Sequence, residues 1–252
     1  MTTTVAMAVA MAVAKRIFRI QYVSNLHLER YEKATFPLLV KPCARYLALA
    51  GDIGKPGNIV FESFLQYVSH NWDKVFYVAG TTELSYSENK AHRDILTSTN
   101  RYPNIHYLHN SRPAIVTKEN VAVVGATLWP WQKKMLEDQV YYRTTQKQPI
   151  CMLTYHMPSP ILLSSRFLNK NHNVVNCENL MVPQVKAWIY GKPHNASTGV
   201  LNSTFTAVNA RGYPTEYVPG FSPTAFLEFS VEGEETCIDS ELARSACDTP
   251  VL

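Results

Sequence analysis

Short apolar runs, each halted by a glycine or a polar pair, recur along this chain. Ile17–Val23 is rich in Ile and Val and stops at Ser24 and Asn25, which predicts a strand followed by a loop. Tyr46–Ala50 is a second run, stopped by Gly51, and residues 75–79 are a third, stopped by Gly80. Residues 121–126 and Ile150–Thr154 repeat the pattern, and a shorter run at 187–190 ends at Gly191. Later strands are predicted over 205–208 and 225–231. Phe61, Phe64, Leu65 and Val68 recur instead at three- and four-residue spacing, which predicts an amphipathic helix. Strands alternating with helical pattern point to an α/β sheet, whose ligand-binding groups gather at the carboxyl ends of the strands. No internal repeat and no Pro/Ser/Gly-rich linker divides the body.

Composition narrows the function classes. A chain of 252 residues fits one large domain with a two-layer core. A net charge of +4, with no long run of Lys and Arg, argues against a nucleic-acid partner. The scattered Tyr and Phe residues read as core and sheet positions. Cys43, Cys151, Cys177, Cys237 and Cys247 form no CxxC pair and leave one odd residue, which suits reduced intracellular thiols. The glycosylation sequons starting at Asn195 and Asn202 are therefore read as incidental.

Residues 1–15 form a separate segment. The run VAMAVAMAVA (5–14) is too short to span a bilayer, which takes roughly 20 residues. Its charges, Lys15 and Arg16, follow the run, whereas a secretion signal carries them in front. The segment reads either as a disordered low-complexity leader or as an arm that orders against a partner, the arm being preferred because exposed Val and Met are costly to leave wet. Residues 232–252, acidic and then polar, read as a surface tail. These features predict a protein that is not secreted, located in the cytoplasm or within an assembled particle. They also predict no membrane span, protein partners engaged through the arm or the surface, and compatibility with a homo-oligomer.

Five strand-end segments carry the chemistry: SNLHLE (24–29), GDIG (51–54), GTTE (80–83), TYHMPS (154–159) and WIYGKPH (188–194). In order and spacing they resemble the signature blocks of the calcineurin-like metallophosphoesterases, which run D-x-H, G-D, G-N-H-E, H (in a T-H-H-x-P setting) and G-H-x-H. The stretch VNARGYPTE (208–216) is also similar to the region after the last block, so the resemblance covers residues 16–231. It implies a four-layer αββα sandwich, two packed mixed β-sheets flanked by helices. In that family two divalent ions activate a water and neutralise phosphate oxygens during in-line displacement. Carboxylate, imidazole and amide oxygen suit Mn, Fe or Zn.

Transferred position by position, the resemblance implies that His27, Asp52 and His194 are retained as ligands of the first metal, with Asn25 a weaker oxygen ligand in place of an Asp. Thr82 stands where the family has its catalytic His. Thr81, Tyr155 and Lys192 replace second-site ligands, so no catalytic residue is expected and the cofactor is either absent or a single divalent Mn, Zn or Fe. A Lys192 ammonium near the second position repels a cation by on the order of 4 kcal/mol per unit charge product at about 4 Å. Lys192 is thus expected to pair with Asp52 and stand in for the lost ion, unless its side chain simply extends into solvent. His156, beside Tyr155, reads as structural, and Glu29 and Glu83 read as loop or cap carboxylates.

Three functions are compatible with these residues. The first is a pseudoenzyme serving as a structural or interaction subunit, conceivably of a virion or other large complex. The second is a reduced single-metal phosphoesterase acting on phosphomonoesters or diesters. The third is a phosphate-binding module that uses Lys192 and His194.

Overall fold

A computed structural model describes residues 16–109, 114–163, 174–232 and 236–238. The arm at 1–15 and residues 239–252 of the tail lie outside the described residues. Two six-stranded mixed sheets make up the centre. The first has the order β12-β11-β1-β2-β3-β4, built from β1 (Ile17–Val23), β2 (Tyr46–Ala50), β3 (Lys74–Val78), β4 (Ile105–Tyr107), β11 (Phe226–Ser230) and β12 (Thr236–Ile238). The second has the order β5-β6-β7-β8-β10-β9, from β5 (Ile115–Val116), β6 (Ala122–Ala126), β7 (Ile150–Thr154), β8 (Val185–Tyr190), β9 (Ala196–Leu201) and β10 (Thr204–Asn209). In the first sheet β1, β2, β3 and β4 run parallel out to the β4 edge, and antiparallel pairings add β11 and β12 on the other side; in the second, β6, β7, β8 and β10 run parallel and antiparallel β5 and β9 close both flanks.

Side-chain alternation along the strands explains the layering. On β2, Tyr46, Ala48 and Ala50 face the other sheet, while Leu47 and Leu49 face helices. The core between the sheets joins Phe18, Ile20 and Phe76 of the first to Cys151, Leu153 and Phe205 of the second. The outer face of the first sheet is covered by α2 (Ile59–Asn71), which buries Phe61, Phe64, Leu65 and Val68, and by α3 (Glu88–Thr99). A single turn, α1 (Phe36–Leu39), adds Leu39 to this layer. On the second sheet, α4 (Lys133–Thr145) contributes Leu136 and Val140 over Met152 and Trp188. The order of layers is therefore α, β, β, α, as the resemblance implies.

Each strand foreseen from the apolar runs is present, with ends shifted by a residue or two. Several elements were not foreseen. The buried face of α3 consists of Ala91, His92, Ile95, Ser98 and Thr99, so helical spacing is not written in apolar residues. Strand β9 is partly exposed and contains Ser197, Thr198 and Gly199. Strand β12 extends the first sheet past Val231, pairing in antiparallel fashion with β11. Cys151 and Cys177 are free thiols, and the Cys43 thiol donates to Thr224 O at 3.2 Å.

Candidate functional site

Loops after β1, β2, β3, β7 and β8 converge at one end of the sandwich. The first two run side by side: Asn25 N–H donates to Gly51 O, His27 N–H to Asp52 O and Leu28 N–H to Ile53 O, each at 2.9–3.0 Å. Asn25, His27 and Asp52 all lie in the left-handed region, at φ of 52°, 48° and 52°. Non-glycine residues rarely adopt it, and such strain gathers where side chains must be aimed.

Glu83 fastens the loops after β2 and β3. Its fully buried carboxylate accepts the N–H groups of Asp52 (3.1 Å), Ile53 (2.7 Å), Gly54 (3.2 Å) and Gly80 (2.8 Å) and the Tyr77 hydroxyl (2.9 Å). Burial and then the Asp52 charge raise its pKa to about 7, while the Gly80 N–H and Tyr77 pull the other way. The loop role expected for Glu83 is thus realised with five donors on one carboxylate.

Asp52, only 3% exposed, is held at both oxygens. The Thr82 N–H donates to Oδ1 at 2.6 Å, and the Tyr155 hydroxyl donates to Oδ2 at 2.6 Å. The Thr81 hydroxyl reaches both oxygens at 3.3–3.4 Å and meets the Tyr155 hydroxyl at 3.0 Å. Burial, followed by the Asp52 charge, pushes the Tyr155 phenol well above its ordinary pKa, so it stays a donor. Its ring fits because strand-end glycines leave room: a Cβ on Gly51 (φ 82°) would stand 2.5 Å from Tyr155 Cδ2, and one on Gly80 2.9 Å from it.

The expected pairing of Lys192 with Asp52 is not what the structure contains. Lys192 Nζ lies 5.9 Å from the Tyr155 ring centroid, and no ion pair among the described residues involves it. Its backbone N–H donates to Tyr155 O. A phenol inside the sandwich is rigid and packed in place, so it reaches the carboxylate where a flexible ammonium favours more polar surroundings. His156 is fully buried against Trp129 (ring centroids 4.6 Å apart) and Tyr155 (4.9 Å), and neither ring nitrogen has a partner. Burial first, and then the Lys192 charge, lower its pKa to about 3.

His27 and His194 meet with Nε2 atoms 3.3 Å apart. Behind them, His194 Nδ1 lies 2.6 Å from Glu216 Oε2, and His27 Nδ1 lies 3.3 Å from both Glu29 Oε1 and Thr82 Oγ1. Tyr213 stacks on His27 at 4.2 Å between centroids and sets its edge on His194 at 5.2 Å. Asn25 donates from Nδ2 to Gly191 O (2.7 Å) and Ser24 Oγ (3.0 Å), leaving its buried Oδ1 without a partner. Glu216 and Tyr213 were not singled out from the sequence. Both belong to the quoted stretch 208–216, but neither follows a periodicity, and only the loop after β10 brings them to the site.

The residues can be tested against the two ions that the resemblance implies. At the second position they do not fit, since both Asp52 oxygens are occupied by neutral donors and the positions that the resemblance equates with ligands carry Thr81, Tyr155 and Lys192. At the first position they suit a single ion: an orphaned amide oxygen on Asn25 and two facing imidazole nitrogens on His27 and His194. Asp52 makes no hydrogen bond or ion pair with either imidazole. Among the described residues, no cluster of three or more His, Cys, Asp and Glu side chains is arranged to hold a metal.

No protein-family profile matches the chain. An uncharacterised protein of Acanthamoeba polyphaga mimivirus is 24% identical over 275 residues, covering 83% of this chain and 96% of that protein. Phosphopantetheinyl hydrolase of Mycobacterium tuberculosis superposes with a TM-score of 0.58 at 13% identity, covering 77% of this chain and 89% of that one. The TT1561 protein of Thermus thermophilus gives 0.57 at 15% identity, covering 90% and 100%. Two packed mixed sheets between helices, with the site loops at the strand ends, establish this chain as having a metallophosphoesterase-like fold.

Proposed function

We propose that this chain is a catalytically impaired metallophosphoesterase-like protein, a pseudoenzyme that serves as a structural or interaction subunit of a larger assembly. The observation that carries the reading is the 2.6 Å hydrogen bond from the Tyr155 hydroxyl to Asp52. A carboxylate that bridges two cations in the resembled family instead accepts hydrogen bonds from a phenol, a threonine hydroxyl and a backbone amide. The general acid is also gone, since Thr82 points its hydroxyl at His27. Losing such a group removes about 10²–10⁴-fold of rate, and losing charge stabilisation by a second ion removes more.

Protein partners, engaged through the N-terminal arm or the surface, and a place in the cytoplasm or inside an assembled particle are part of the same proposal. The match to a viral protein supports a particle component. No helix among the described residues is long and apolar enough to cross a membrane.

A second reading, single-metal hydrolysis of a phosphoester, is favoured by the convergence of His27, His194 and Asn25. A divalent ion held there would supply Lewis acidity and a more acidic bound water. The chain itself would contribute ligands and orientation but no proton donor to the leaving group.

The test is turnover of an aryl phosphodiester with added Mn²⁺, comparing wild type with Asp52→Ala. The pseudoenzyme reading expects equal, background-level rates. Turnover in the wild type that disappears in the variant would replace it with the single-metal reading.

A further inference from the structure

We infer that Glu216 is a positioning residue that turns the Nε2 lone pair of His194 toward one divalent ion of the zinc class, held jointly with His27. The inference deepens the reading of a surviving first site and rests on it. A carboxylate oxygen only accepts hydrogen bonds, so the 2.6 Å contact with Glu216 places the His194 proton on Nδ1. Glu29 Oε1 and Thr82 Oγ1 both lie 3.3 Å from His27 Nδ1 on the far side of the pair. With its proton held at the rear, His194 presents its Nε2 lone pair to His27 Nε2 across 3.3 Å. A proton on His27 Nε2 satisfies that lone pair in the metal-free chain, and a divalent ion between the rings would take its place.

The spacing also suggests which ion. Two imidazoles bound to a tetrahedral zinc at ~2.0–2.1 Å stand about 3.3–3.4 Å apart. Asn25 Oδ1, buried and unpartnered, is an oxygen donor on the same loop as His27. Tyr213, packed on both rings, limits their rotation. Backing a ligating histidine with a carboxylate fixes its tautomer and raises its basicity, and removing such a partner costs about 10–100-fold in metal affinity.

The experiment measures Zn²⁺ affinity of the full chain by competition with a chromophoric chelator, with folding of each variant confirmed by far-UV circular dichroism. The wild type is expected to take up about one equivalent, and Glu216→Ala to bind 10–100-fold more weakly. Glu216→Gln, which keeps a neutral acceptor for Nδ1–H, is expected to fall between them. Long-range ¹⁵N–¹H spectra of the metal-free wild type are expected to place the His194 proton on Nδ1. The inference is overturned by no zinc uptake in the wild type, by equal affinities of wild type and Glu216→Ala, by Glu216→Gln binding as weakly as Glu216→Ala, or by a His194 proton on Nε2. Each of these leaves the impaired-hydrolase reading standing. Conversely, Asp52-dependent turnover with Mn²⁺ removes that reading without altering the zinc result.

Discussion

At the scale of single residues, the chemistry of this site turns on which neutral or charged group reaches Asp52. Lys192 carries the full charge, yet Tyr155 makes the contact, because the phenol is aimed from the end of a buried strand and the ammonium is not. The identities of the candidate site positions were legible in the sequence, since each lies at a fixed offset from a strand-ending glycine or polar pair. Which of them touch was not legible, because that depends on rotamers and on three loops meeting. His156 adds a testable consequence. Its pKa falls from the ordinary 6.5 to about 3 in the fold, so between those values the unfolded chain binds the extra proton. Stability contributed by neutral His156 is therefore complete above pH 6.5 and falls by up to about 1.4 kcal/mol per pH unit as the pH drops toward 3. Urea denaturation between pH 4 and 7 should show a shallower slope for His156→Leu than for wild type, and identical slopes would contradict this account.

Among the structural elements, strands β1, β2, β3, β7 and β8 place the site, and loops finish it. The strands were readable because buried parallel strands are continuous apolar runs. Helices α3 and α4 were less readable, since the first buries small and polar residues and the second buries little besides Leu136 and Val140. Glu83 shows how a loop is made rigid from a single residue. Four backbone N–H groups and one phenol converge on it, and each buried donor left unpaired costs ~1–3 kcal/mol. Glu83→Ala is accordingly expected to lose at least about 3 kcal/mol of unfolding free energy, measured by urea titration. A loss below 1 kcal/mol would mean that water replaces the carboxylate without penalty.

The whole molecule is held by one core shared between two sheets, with separate apolar layers under the helices. Because Phe18 and Phe76 of one sheet belong to the same buried cluster as Leu153 and Phe205 of the other, neither sheet retains its inner face alone. Unfolding is expected to be a single cooperative step, with coincident urea midpoints by far-UV circular dichroism and tryptophan fluorescence. Trp72 lies in the helix layer of the first sheet and Trp188 in that of the second, so separated midpoints would reveal independent halves. The sequence by itself determined the sandwich and the strand-end positions of its candidate site, because hydrophobic period and strand-end punctuation are local properties of the chain. Only the tertiary structure decided that a tyrosine caps Asp52, that His27 faces His194, and that Glu216 stands behind it. Those contacts join loops far apart in the chain, and no local pattern encodes where their side chains meet.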